Sequence, residues 1–230
     1  MTAIKVMSEN KDLGSSDAEK HLFSDKTTFG TIAKFKPIES ERTLDTQRFL
    51  QACTDLTTVL DRLGSQFSIA KRDMIGNIKR IDDRFKTNTA RYVTLNAILE
   101  DHANQKPLES AVIGLIWLKR SLEFLRVFIL NLSSDYQKNV EDVTLRQTVL
   151  KAYETTLKQY HGKLSRFMFT KLTHLVPYRK DFLKALLLNE EATLEMLFSD
   201  IDLYLPNLSD NIDLIESLLN QYGLNTGEAS

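Results

Sequence analysis

Residues 108–134, LESAVIGLIWLKRSLEFLRVFILNLSS, decide the fold class. Apolar residues stand at Val112, Ile113, Leu115, Ile116, Trp117, Leu118, Leu122, Phe124, Leu125, Val127, Phe128, Ile129 and Leu130. They cover more than one stripe of a helix, and a helix that is apolar nearly all round is buried on several sides. This segment is therefore the expected centre of the domain. The same 3.6-residue period predicts helices at about 46–63, 68–86, 88–103, 143–160, 161–176, 179–188, 190–204 and 208–222. Pro37, Pro107, Pro177 and Pro206 each fall between these segments, as residues that break helices should. Gly64 reads as the C-cap of the first segment, and Asn88 and Ser209 as N-caps. There is no credible alternating strand run and no internal repeat. The expected class is all-α, with helices packed in layers.

Composition bounds the function. A chain of 230 residues can bury one substantial core. Its formal net charge of −1 gives no global field to attract nucleic acid or an anionic surface. Cys53 is the only cysteine, which excludes an internal disulfide and a cysteine-based metal cage and fits a reducing compartment. The longest apolar run, Ala111 to Leu118, stops at Lys119 and Arg120, too short to span a membrane. With no apolar signal core at the N-terminus, the expected location is cytoplasmic. Residues 1–27 are polar, lack periodicity and read as a flexible extension.

Outward from the central helix, the most informative polar stretch is Asp73-Met-Ile-Gly-Asn77-Ile-Lys-Arg80. Asp73, Asn77 and Arg80 stand at i, i+4 and i+7, so an acceptor, an amide and a cation share one helical face. Gly76 costs a helix about 1 kcal/mol relative to alanine. With Gly114 one turn before Trp117 and Gly162 after His161, it suggests a shared concave site where side-chain cover thins. Close helix packing is the plainer explanation for any single one of these glycines. Trp117, the only tryptophan, reads either as a core anchor or as a flat platform for a sugar ring. Arg120, one turn on, could reach a polar head group, although a snorkelling surface cation is commoner. Asp73 with His161 suggests a base and its orienter, yet no nucleophile elbow, oxyanion loop or phosphate loop accompanies them. The four histidines lack metal-ligand spacing.

Several motifs occur in a telling order: Leu63-Gly64-Ser65, Asp73-Met-Ile-Gly-Asn77-Ile, Trp117-Leu-Lys-Arg120, Ala152-Tyr153-Glu154, Tyr160-His161-Gly162, Pro177-Tyr178 and Asp181-Phe-Leu-Lys-Ala185-Leu186. Over residues 45–190, and more loosely after residue 28, the chain resembles the glycolipid transfer proteins. The resemblance implies a two-layer sandwich of about eight helices over 28–230, enclosing an apolar pocket for one sphingolipid. It implies that Asp73 accepts hydrogen bonds from sugar hydroxyls and the ceramide N–H, and that Asn77 bonds the sugar. Trp117 then stacks on that sugar, and His161 donates to the ceramide carbonyl. The family's lysine falls at Arg80, which keeps the charge but changes its geometry. By place in the motifs, Val59, Leu60, Leu63, Phe67, Ile113, Phe124, Phe128, Leu157, Phe169 and Leu172 line the chain pocket. Periodicity alone would make each of them ordinary core.

A branch of the superfamily that carries ceramide 1-phosphate has a cation where Trp117 stands. Phosphate wants clustered cationic donors, whereas a neutral sugar wants a flat apolar face with hydrogen bonds. Trp117 and Asn77 favour the neutral sugar, while Arg80 and Arg120 leave a sulfated one open. The family's tryptophan after the His-Gly pair is Lys163 here. Tyr153, Leu164, Phe167 and Tyr178, with Lys163, Arg166, Lys171, Arg179 and Lys180 nearby, are the expected weak contact with a membrane surface. The expected function is binding a glycosphingolipid and carrying it between membranes without covalent chemistry, as a monomer, with no cofactor, metal or nucleic acid. The alternatives are ceramide 1-phosphate transfer and a lipid-regulated sensor or adaptor.

Overall fold

The computed structural model describes residues 22–103, 107–140 and 143–225. The described residues form α-helices and three 3-10 turns; the only β pairing among them is two isolated bridges. In chain order the helices are α1 (Thr28–Thr31), α2 (Thr46–Leu56), α3 (Thr58–Arg62), α4 (Ser68–Thr87), α5 (Leu95–His102), α6 (Ser110–Gln137), α7 (Leu145–Thr155), α8 (Lys163–Leu172), α9 (Arg179–Ala185) and α10 (Leu194–Gln221).

Five of these ten helices start on a side-chain cap that the local sequence supplies. Asp45 accepts from the Arg48 amide to open α2, and Thr193 accepts from Met196 to open α10. Thr144 and Gln147 form a reciprocal capping box at α7. Gly64 ends the α3 segment at a φ of 108°, a conformation that only glycine adopts without strain.

As the sequence predicts, α6 is central. It packs against α4, α10 and α7, while α2 lies on α4 and α1 on α10. Its buried residues run from Ala111 to Ser133 and include Val112, Leu115, Leu118, Leu122, Leu125, Phe128 and Leu132. The helices form the expected two-layer sandwich around this shared core. Cys53 is within it, where burial pushes the thiol pKa well up and leaves the sulfur unreactive.

Several expectations need correction. Residues 88–94 are not helical: the Thr46 amide donates to the Val93 carbonyl and Leu95 to Leu44, pulling this stretch into a bridge against the start of α2. The N-cap of α5 is therefore Thr94, whose side chain accepts from Ala97, and Asn88 instead turns the chain by accepting from the Arg91 amide. Segments 190–204 and 208–222 are one helix, α10, with Pro206 inside it and Ser209 not a cap. Proline costs a helix interior about 3 kcal/mol. Pro206 faces outward, and the flanking Tyr204, Leu205 and Leu208 are buried. At about 1.5–3 kcal/mol each, they outweigh that cost.

Only the end of the N-terminal extension falls among the described residues. Its first 21 residues lie outside the described ones. Its end is tied down: the Ser24 amide and the Thr27 hydroxyl donate to the buried Asp200 carboxylate at 2.8 and 2.6 Å. Leu188 donates to the Lys26 carbonyl, so this strap joins α10 to the segment after α9.

Candidate functional site

The polar face of α4 forms as its spacing predicts. Asn77 is buried at 2 % exposure, while Asp73 and Arg80 are exposed on either side. The Asn77 Nδ2 donates to Asp73 Oδ2 at 3.3 Å, and an Arg80 guanidinium nitrogen donates to Asn77 Oδ1 at 2.9 Å. The amide is thus held at both ends, loosely on the Asp73 side. A groove of about 290 Å³ runs along this face, lined by Ile69, Arg72, Asp73, Gly76, Asn77 and Arg80.

The three glycines have different jobs. A Cβ on Gly76 would meet nothing within 4 Å, so its bare backbone borders open groove rather than a packed neighbour. A Cβ on Gly114 would stand 2.9 Å from the Asn77 carbonyl oxygen and 3.1 Å from the Arg80 Cβ. That close approach of α6 to α4 sets the Trp117 turn beside the Asp73–Arg80 face. Gly162 is not inside a helix; it is the N-cap of α8.

Trp117 and His161 stack, with ring centroids 6.2 Å apart and planes inclined by 29°. Tyr153 lies behind the imidazole, its hydroxyl 3.1 Å from His161 Nδ1. Burial raises the Tyr153 pKa, keeping the phenol protonated. A hydroxyl donating to Nδ1 leaves Nε2–H as the free donor of the ring. Burial lowers the His161 pKa, Asp73 opposes it, and Arg166 and Arg120 reinforce it, so the imidazole is neutral at pH 7. Asp73 on α4 is thus near enough to His161 to act on its charge.

Arg120 is no surface cation. It is 3 % exposed, its guanidinium carbon 4.7 Å from the Trp117 ring centroid and 3.7 Å from that of Tyr160. Such stacking fixes the indole from one side. Lys119 is also buried, in an ion pair with Glu216 on α10. The arrangement offers a carboxylate acceptor, an imidazole donor and a flat indole, in a protein with a large apolar interior.

Of the residues assigned to the chain pocket, Val59, Leu60, Leu63, Phe67, Phe124, Phe128, Leu157 and Phe169 are buried and Leu172 is half-buried. They fill space against one another: Phe169 meets Phe67 at 6.5 Å and Phe124 at 5.8 Å, both edge-on. Ile113 differs. It is 37 % exposed, four residues before Trp117 on the same outward stripe, which places it at the rim rather than in the interior. The inward residues of that turn are Val112 and Ile116.

The expected docking face is also partly redrawn. Leu164, Phe167 and Tyr178 are exposed, Tyr178 by 79 %, with Lys163, Arg166, Lys171 and Lys180 around them. Tyr153 is buried behind His161, and Arg179 is paired with Asp135 at 3.2 Å. Met168 and Leu175, which sequence reasoning passed over, join the exposed set. The i, i+3, i+4 spacing of Leu164, Phe167 and Met168 was the available signal. Arg72 and Tyr160 were missed as well. Each is adjacent in sequence to an assigned residue, but neither position follows the helical repeat that singled out its neighbour.

Comparison with known proteins bears on this site. The family model for glycolipid transfer protein matches residues 44–188. The glycolipid transfer protein of Xenopus tropicalis is 32% identical over 193 residues, which are 82% of this chain and 92% of that protein. A solved structure of FAPP2, described as selecting simple glycosphingolipids using the GLTP fold, superposes with a TM-score of 0.78 at 29% identity, covering 89% of this chain and all of that one. The mouse ceramide-1-phosphate transfer protein shares the fold, with a TM-score of 0.75 at 20% identity over 87% of this chain and 99% of that one.

Proposed function

The chain belongs to the glycolipid transfer protein family, and from that premise we propose that it binds one glycosphingolipid and carries it between membranes without covalent chemistry. The observation that carries this reading is the convergence of Asp73, Asn77, Trp117 and His161 from three parts of the chain. Asp73 accepts from sugar hydroxyls and the ceramide N–H, and Asn77 bonds the sugar as its 3.3 Å contact with Asp73 yields. The sugar lies on the Trp117 indole, and His161 Nε2–H donates to the ceramide carbonyl.

The energetics demand an interior. Each buried methylene is worth about 0.8 kcal/mol, so a two-chain lipid with on the order of thirty would lose more than ~20 kcal/mol if released bare into water. The side chains around Phe67, Phe124 and Phe169 must part to form a sleeve, which a layered helical sandwich permits by sliding one layer. The protein meets the membrane transiently through Leu164, Phe167, Met168, Leu175 and Tyr178, helped by the surrounding lysines and Arg166. It does so as a monomer in the cytoplasm; no helix among the described residues is long and apolar enough to cross a membrane.

Transfer of a fluorescent glycolipid between vesicles tests the proposal. Asp73→Val and Trp117→Ala should each slow transfer at least tenfold while the far-UV circular dichroism stays native. Undiminished transfer by both variants would sink the site. Ceramide 1-phosphate transfer is the second reading, favoured by the positive field that Arg120 and Arg166 exert on His161. The Trp117 indole weighs against it, because it presents a flat apolar face where clustered cationic donors would suit a phosphate.

A further inference from the structure

Helix α4 carries six cations: Lys71, Arg72, Lys79, Arg80, Arg84 and Lys86. Four are neutralised by carboxylates of the described residues: Lys71 by Asp61, Lys79 by Asp83, Lys86 by Asp82, and Arg84 by Asp101 and Glu109. Among the described residues no carboxylate lies within ion-pair distance of Arg72 or Arg80. These two are the ones that line the groove beside Asp73.

The two arginines bracket the groove. They stand eight positions apart, about 12 Å along the helix axis, with Gly76 at the midpoint. Because a Cβ there would meet nothing, space between the guanidiniums is left open where any other residue would intrude. Both arginines are exposed, so their long side chains can fold over a ligand from either end. Arg80 is anchored by the 2.9 Å bond that one guanidinium nitrogen donates to Asn77, and its other N–H groups have no hydrogen-bond partner among the described residues, so they are available to a ligand. Arg166 and Arg120 add positive charge nearby, each disfavouring protonation of His161 against the opposing influence of Asp73, the only carboxylate lining the groove.

We propose that Arg72 and Arg80 form an anion subsite at the rim of the head-group site, and that the sugar carried by this protein bears an acidic substituent, a sulfate or a carboxylate. The inference rests on the glycolipid reading above and narrows its ligand class. A neutral sugar would satisfy Asp73, Asn77 and Trp117 but leave two guanidinium forks facing water. An oxyanion on the outer side of the ring accepts from both.

The test is competitive transfer between neutral vesicles of galactosylceramide, its sulfated form and ceramide 1-phosphate, by the full chain and by Arg72→Gln. Two partly exposed charge-assisted contacts predict about a five- to tenfold preference for the sulfated lipid over galactosylceramide. The preference should shrink as salt is raised from low to physiological strength. In Arg72→Gln, whose glutamine suits an exposed helical position, the ratio should fall at least twofold with an unchanged melting curve. A glucuronic acid-bearing ceramide, run as a parallel arm, should share the preference. Equal rates for the sulfated and neutral lipids overturn the subsite but leave glycolipid transfer standing. So does a ratio untouched by Arg72→Gln. Ceramide 1-phosphate winning the competition, or no lipid moving at all, overturns both readings.

Discussion

A Cβ placed on Gly114 would stand 2.9 Å from the carbonyl oxygen of Asn77. A close approach of α6 to α4 thus lies beneath the residue that organises the polar face. Gly114→Ala should push the helices apart and destabilise the protein by about 1–3 kcal/mol, as overpacking does. Glycolipid transfer should fall with it, because Asn77 and Arg80 shift together. Urea denaturation and vesicle transfer measure the two effects; an alanine tolerated in both would mean that the helices yield at no cost.

Gly76 predicts the opposite pairing. Its position is open, so Gly76→Ala gains helix propensity without a clash and should stabilise by about 0.5–1 kcal/mol. Gly76→Leu should keep part of that gain and yet slow transfer, since its side chain occupies the groove. If Gly76→Leu transfers at the wild-type rate, nothing binds there.

The pH dependence follows from His161. Burial holds its pKa below the ordinary 6.5, with Asp73 only partly compensating. As pH falls below about 6.5 the unfolded chain takes up a proton that the folded imidazole refuses. Stability associated with neutral His161 is therefore complete above pH 6.5 and declines as pH drops toward the folded pKa. Melting temperatures between pH 7 and 5 should fall more steeply for wild type than for His161→Gln. Parallel slopes would show that another group controls this range.

Pro206 is a site of removable cost. It faces outward inside α10, so Pro206→Ala should restore a helical hydrogen bond and stabilise by up to about 3 kcal/mol, read as a raised melting temperature. A lowered one would show that the ring shapes a bend the packing needs.

At the docking face, Phe167 is 58 % exposed. Phe167→Asp should change stability by no more than about 0.5 kcal/mol. It should slow transfer several-fold by weakening contact with the acyl boundary, most visibly in sedimentation with vesicles. Unaltered vesicle binding would move the contact elsewhere.

The helical class, the central role of α6 and the polar face of α4 are all legible in the order of residues. Each of these is a local periodicity, and a repeat of 3.6 residues is written into the spacing of apolar and polar side chains whatever they later touch. The sequence also supplied the motif order in which Asp73, Asn77, Trp117 and His161 stand out. Only the tertiary structure decided the rest, because the deciding partners are distant in the chain. Thr46 bonds Tyr92 and so ends a helical reading at 88–94. The buried side of α10 carries the helix through Pro206, where proline alone says stop. Tyr153 leaves the expected membrane face for the back of His161, and Ile113 leaves the interior for the rim. Arg72 is conspicuous only once its neighbours on α4 are seen to be paired. Charge can be counted in a sequence, but which charges are already neutralised is a fact of three dimensions.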